Sequence, residues 1–237
     1  MISVNKRSLF KSLSWRLFAF IILIFVSFLA LNDTKTSLIL ALCYNVVQVI
    51  MYYIHERIWN LIRWGKPKGI FIQMTGLSGA GKSTLAFDVG NKLRKKGHKV
   101  EIIDGDEYRE GLCKDLGFSK EDRNTNIRRL GFVGKVLSRN NVITIMSAIN
   151  PYDSIRQELK NNCGATTVYI KCSLDKCVER DVKGLYKKAL SGEIKQFTGI
   201  SDPFEEPSSP DLIINTDSEN LEQSSKKLED FILKSIM

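Results

Sequence analysis

The chain has 237 residues, enough for one mid-sized α/β domain and a small additional element. Lys and Arg number 35 against 26 Asp and Glu, a formal net charge of +9. Residues 1–68 hold nine basic and two acidic residues, which leaves only +2 for the rest, so the charge gives no reason to read the larger part as a nucleic-acid binder. Five cysteines without C-x-x-C spacing, beside two histidines, argue against a zinc site and for reduced thiols in the cytosol.

Residues 17–31 form an uncharged run of fifteen, and residues 37–54 a second of eighteen, separated by the polar stretch Asn32-Asp33-Thr34-Lys35-Thr36. Eighteen helical residues span about 27 Å, close to the ~30 Å hydrocarbon core of a bilayer. Trp15 and Arg16 can extend the shorter run by snorkelling at the interface. The pattern predicts a transmembrane hairpin over residues 1–66, with spans at about 15–32 and 37–54. A signal peptide fits less well, because Phe28 stands at the −3 position of the only plausible cleavage site, after Ala30. A buried soluble helix pair fits poorly because neither run has a polar face. Both flanks are basic, so the positive-inside rule places both termini and the domain that follows in the cytoplasm. Tyr52, Tyr53, Trp59 and Trp64 would sit near the headgroups, and membrane lipid is the expected partner of this segment. The segment from Ser8 to Trp64 resembles a small uncharacterised membrane domain that occurs alone and fused to sulfate-activating kinases.

Residues 67–237 read as one α/β domain. Residues 69–75 are a short apolar strand, followed by Gly76-Leu77-Ser78-Gly79-Ala80-Gly81-Lys82-Ser83-Thr84 and then apolar residues at helical spacing. This is G-x-x-x-x-G-K-[ST] between a strand and a helix, the ATP-binding phosphate loop. Its glycines let the backbone curl so that amide N–H groups face the phosphates, Lys82 reaches the β- and γ-phosphates, and Ser83 ligates Mg²⁺.

A second strand over residues 99–103 ends at Asp104-Gly105-Asp106. Carboxylates at the end of a parallel strand beside the phosphate loop can hold Mg²⁺ (Asp104) and take a proton from an attacking hydroxyl (Asp106). Further strands are expected at 141–146, 167–172 and 212–214, and a closing helix near 219–233. The fold class is therefore α/β, a P-loop NTPase-type parallel sheet of about five strands flanked by helices.

The motifs Asp104-Gly105-Asp106, Arg109, Asp122-Arg123-Asn124, Asn126-Ile127-Arg128-Arg129, Lys183-Gly184-Leu185-Tyr186-Lys187-Lys188-Ala189 and Phe197-Thr198-Gly199-Ile200 resemble adenylyl-sulfate kinase, over about residues 69–233. The resemblance implies that Asp106 is the catalytic carboxylate beside the ribose 3′-hydroxyl, with Lys82 and Asp104 in the catalytic set. It implies that Arg109 and Arg123 grip the acceptor anhydride, that Asn126 hydrogen-bonds the acceptor, and that Phe118 and Phe197 sandwich its base. It places Ile149, Asn150 and Lys183 on the acceptor side as well. Residues 183–199 are polar and Lys-rich, as a mobile lid over two anionic nucleotides should be. The turn after the third strand departs from the family pattern: Asn150 stands where a serine is usual, Asp153 where an arginine is, and Ile155 where an acid is. Without that serine no phosphoserine intermediate can form there.

The implied reaction is transfer of the γ-phosphoryl of MgATP to the 3′-hydroxyl of adenylyl sulfate. A sibling 3′-kinase acting on another nucleotide, such as the cytidine diphosphoramidate kinase of capsule biosynthesis, and a non-catalytic nucleotide-binding membrane scaffold stay open. So does a homodimer.

Overall fold

The structure, a computed structural model, describes residues 9–19, 21–22, 34–62 and 68–236. The chain divides into two units, Met1–Pro67 and Lys68–Met237.

In the first unit residues 9–19 and 21–22 are helical, and α1 spans Thr34–Leu61. Lys11 pairs with Glu56, Ser14 Oγ lies 2.8 Å from His55 Nε2, and the Trp15 ring meets Tyr52 edge-on at 5.0 Å. Partners that fall in number along α1 as they rise along the first stretch make the two antiparallel. Trp59 Nε1 donates to His55 Nε2 at 3.1 Å, so the buried imidazole is held from both helices. The expected polar turn at 32–36 is too long: residues 34–36 are already helical, and α1 continues past residue 54 because His55 and Trp59 pack inward. Most of the first uncharged run (23–31), Asn32, Asp33 and Trp64 lie outside the described residues. Among the described residues, no helix is long and apolar enough to cross a membrane.

The second unit is a five-stranded sheet with helices on both faces. Its elements are β1 (Ile70–Thr75), α2 (Lys82–Lys95), β2 (Val100–Asp104), α3 (Gly105–Glu110), α4 (Lys120–Arg139), β3 (Ile143–Ser147), α5 (Asp153–Cys163), β4 (Ala165–Lys171), α6 (Leu174–Arg180), α7 (Leu185–Leu190), β5 (Leu212–Asn215) and α8 (Leu221–Ile236). The strand order is β2-β3-β1-β4-β5, and every pairing is parallel. A parallel sheet covered on both faces needs apolar residues on both, and β1 supplies them. Ile72 and Met74 join the core under α2 and α8, while Phe71 joins the core under α4 and α5.

Helix boundaries follow local capping chemistry. Ser119 Oγ accepts from Asp122 N at 3.1 Å and donates to the Asp122 carboxylate at 2.6 Å, starting α4. Asp104 Oδ1 accepts from Asp106 N at 3.0 Å, starting α3 directly at the end of β2. With all five strands parallel, their carboxyl ends share one edge, where β1, β2 and β3 deliver the phosphate loop, the two aspartates and the turn at 147–152 to one place.

Candidate active site

The carboxyl ends of the strands open into a cleft of about 900 Å³. Ser78, Gly79, Gly81, Lys82, Ser83 and Thr84 line one part of it. Asp104, Asp106, Arg109, Phe118, Arg123, Asn126, Ile149, Asn150, Lys183 and Phe197 are among the residues that line the rest, as are Ser147 and Tyr186. Gly76, Leu77 and Ala80 do not line the cleft; Ala80 is fully buried, and a Cβ on Gly76 would stand 2.4 Å from Ile170 O, so only glycine fits against β4.

Five successive loop carbonyls are occupied by side chains. Lys82 Nζ donates to Gly76 O (3.0 Å) and Leu77 O (2.8 Å). Tyr186 Oη donates to Ser78 O (2.9 Å), Arg180 Nη1 to Gly79 O (3.4 Å), and Thr216 Oγ1 to Ala80 O (3.0 Å). In a trans peptide the N–H points opposite to the C=O. Holding the carbonyls on side chains therefore turns the loop amides the other way, toward an anion at the N-terminus of α2, apart from Ala80 N, which donates to Leu77 O at 3.2 Å. Gly81, at φ 97, supplies the left-handed turn into that helix.

Lys82 is buried, and burial lowers its pKa to about 8, with Cys177, Asp106 and Asp104 acting against that shift. Ser83 Oγ donates to Asp104 Oδ2 at 2.6 Å and lies 3.0 Å from Ser147 Oγ. This is an all-oxygen donor set, the chemistry that suits Mg²⁺. Ser147, Arg180, Tyr186 and Thr216 were not singled out as site residues from the sequence. Ser147 ends a strand at the cleft edge, a position that could have flagged it; the other three act through contacts to the loop from far along the chain.

On the other side Asp106 and Lys183 form an ion pair at the surface of the cleft. Arg123 is buried: Nε donates to Phe118 O (2.8 Å), Nη1 to Thr198 Oγ1 (2.9 Å) and Nη2 to Gln196 O (2.7 Å). The Arg109 guanidinium lies 4.5 Å from the Phe118 ring centroid, and Phe118 is exposed. Phe197 is buried and meets Tyr186 edge-on at 4.9 Å and 79°. The stretch expected to be a polar lid thus contains helix α7 and two buried aromatic rings, and Arg123 and Tyr186 tie it to α4 and to the phosphate loop.

Asn150 has a φ of 44°, a conformation asparagine tolerates better than most residues. Gln73 Nε2 donates to Arg156 O (3.0 Å) and Thr167 Oγ1 (2.9 Å), which turns Gln73 Oε1 toward Asn150 Nδ2 at 3.1 Å. Asp153 does not line the cleft. Its Oδ1 accepts from Arg156 Nη2 at 3.1 Å and its Oδ2 from Ser208 Oγ at 2.7 Å. Ile155 is buried in the core under α4 and α5.

A family model described as adenylylsulphate kinase matches residues 68–215, and a model described as a predicted membrane protein, DUF2061, matches residues 9–60. A probable adenylyl-sulfate kinase from Synechocystis sp. is 54% identical over 164 residues, covering 69% of this chain and 93% of the relative. An adenylyl-sulfate kinase from Rippkaea orientalis is 53% identical over 164 residues, 69% of this chain and 91% of the relative. The solved structure of the Mycobacterium tuberculosis APS kinase in complex with AMPPNP and APS superposes with a TM-score of 0.68 at 37% identity, over 71% of this chain and 99% of that one.

Proposed function

The chain belongs to the adenylyl-sulfate kinase family, and from that premise we propose that it transfers the γ-phosphoryl group of ATP to the 3′-hydroxyl of adenylyl sulfate. The observation that carries this is a single cleft lined by the phosphate loop, Asp106 and the Arg109, Phe118, Arg123, Asn126 and Phe197 set. The loop amides and Lys82 hold the β- and γ-phosphates of the donor. Ser83 and Asp104 are the oxygen donors that would hold Mg²⁺, whose charge would offset that of the phosphates when bound. Asp106 accepts the proton of the attacking hydroxyl. Lys183, paired with Asp106 here, shifts to the acceptor or the transferred phosphoryl group as substrates enter. Phe118 and Phe197 take the two faces of the acceptor base, and Arg109 and Arg123 face its anionic anhydride.

The orientation of Asp153 leaves an anionic acceptor such as adenylyl sulfate unopposed, since the carboxylate that stands where the family has a cation is spent on Arg156 and Ser208. The test is a side-by-side measurement of kcat/KM for adenylyl sulfate and cytidine diphosphoramidate. A tenfold or larger preference for the cytidine compound, about 1.4 kcal/mol of transition-state discrimination, overturns the acceptor but not the 3′-kinase chemistry.

The N-terminal unit is proposed to anchor this kinase to a membrane as a two-helix hairpin, with the kinase unit and both termini in the cytoplasm. Support comes from the match to a predicted membrane protein family and from apolar residues such as Leu17, Ile21, Val49 and Ile50, which are exposed rather than packed.

A further inference from the structure

The geometry points to Tyr186 as a positioning residue that serves both substrates with the two ends of one side chain: its hydroxyl sets the phosphate loop and its ring sets Phe197. Tyr186 is 1% exposed and sits in the first turn of α7. Asp181 fixes that turn, with Oδ1 accepting from Tyr186 N and Oδ2 from Lys187 N, each at 3.0 Å. From there the phenol donates to Ser78 O at 2.9 Å, and the ring stands edge-on to Phe197 at 4.9 Å.

Each contact has a separate consequence. Drawing the Ser78 carbonyl toward Tyr186 turns the N–H of Gly79, in the same peptide unit, to the opposite side. Gly79 has a φ of 74°, and without a Cβ its peptides rotate readily, so this plane needs a restraint. The neighbouring bond from Arg180 to Gly79 O, at 3.4 Å, holds the next peptide and is longer than an ordinary N–H···O bond. The phenol hydroxyl is thus what orients one amide of the anion cradle. The ring supports Phe197 from the side, so the wall offered to the acceptor base depends on it and not on the hydroxyl.

The inference rests on the donor and acceptor sides assigned above, and the two can fail separately. In the full-length chain in detergent, Tyr186→Phe keeps the ring and removes the hydroxyl. It should weaken ADP binding, measured by calorimetry without acceptor, by about fivefold, the worth of one neutral hydrogen bond. The KM for ATP should rise by a similar factor while the KM for adenylyl sulfate stays within twofold. Tyr186→Leu, or Tyr186→Met if the leucine variant does not fold, should raise the adenylyl sulfate KM as well. Wild-type ADP affinity in Tyr186→Phe overturns the role of the hydroxyl, and equal rises in both KM values in that variant mean general loosening and overturn the division of labour. An unchanged acceptor KM in the leucine or methionine variant overturns the role of the ring. Failure of the wild-type chain to phosphorylate adenylyl sulfate would instead sink the acceptor assignment, and the ADP measurement would still decide the role of the hydroxyl.

Discussion

Arg156 and Asp153 form an ion pair in which Nη2 lies 3.1 Å from Oδ1 and the guanidinium is completely buried. Nη2 also donates to Glu205 O at 2.7 Å, and Nη1 donates to Asn150 O at 2.7 Å, so the pair ties the turn after β3 to the segment around residue 205. Removing the carboxylate leaves a buried cation without its counter-charge. Asp153→Ala is expected to cost about 2 kcal/mol of stability, seen as a lower thermal midpoint, because the two carbonyl bonds remain. kcat/KM for adenylyl sulfate should change by less than about twofold, since Asp153 does not line the cleft and its charge is taken up by Arg156 and Ser208. A large gain in turnover would mean that Asp153 faces the substrate. Burial alone would raise the pKa of Asp153, but Ser208 and Arg156 outweigh it and hold the carboxyl below its ordinary value. A depressed carboxylate pKa stabilises the fold at neutral pH, and that contribution is lost on acidification below pH ~4.

Lys82→Ala should reduce turnover on the order of a hundredfold or more, consistent with losing a preorganised charge contact to the phosphates. Near-normal ATP-dependent turnover in the purified variant would reject the assignment of Lys82.

The lowered pKa of Lys82 gives a second, independent reading. Its pKa in the free protein is about 8, so above that pH the side chain becomes neutral, whereas bound phosphates favour the ammonium. Nucleotide binding therefore takes up a proton as the pH passes 8, and the KM for ATP should rise between pH 7 and 9. A flat profile over that range would mean that Lys82 stays charged.

Phe118 and Phe197 are expected to differ in stability while sharing a kinetic effect. Alanine at either position should raise the KM for the acceptor more than that for ATP, with about 1–3 kcal/mol lost per stacking ring. Phe118 is exposed, so Phe118→Ala should leave the thermal midpoint almost unchanged. Phe197 is packed on Tyr186, and Phe197→Ala should cost about 3 kcal/mol in addition. Equal effects on both substrates would indicate a core role only.

Carbonate-washed membranes should retain the full-length chain, and a chain starting near Lys66 should be soluble and active. Release of the full-length protein by carbonate or high salt would mean that residues 17–31 and 37–54 do not span a bilayer.

The phosphate loop, the Asp104–Asp106 pair and the parallel sheet were legible in the sequence because each is a local pattern. A cradle for phosphates needs glycines, one lysine and one hydroxyl at fixed short spacing between a strand and a helix. The residues expected on the acceptor side came from family resemblance alone, and the fold brings them into the same cleft as the loop. Spacing could not reveal which way the loop peptides face, because that is decided by Tyr186, Arg180 and Thr216, which lie 108, 101 and 136 residues from the carbonyls they hold. The same holds for Asp153: its place in the turn after β3 does not tell that Arg156 and Ser208, one helical turn and 55 residues further along the chain, take up both its oxygens. Phe197, too, sits in a polar stretch of sequence yet is buried, because α7 folds Tyr186 against it. A residue type and its neighbours along the chain determine what chemistry a side chain can perform. The direction in which that chemistry points depends on partners brought together by packing, and these are set only when the sheet and its helices close.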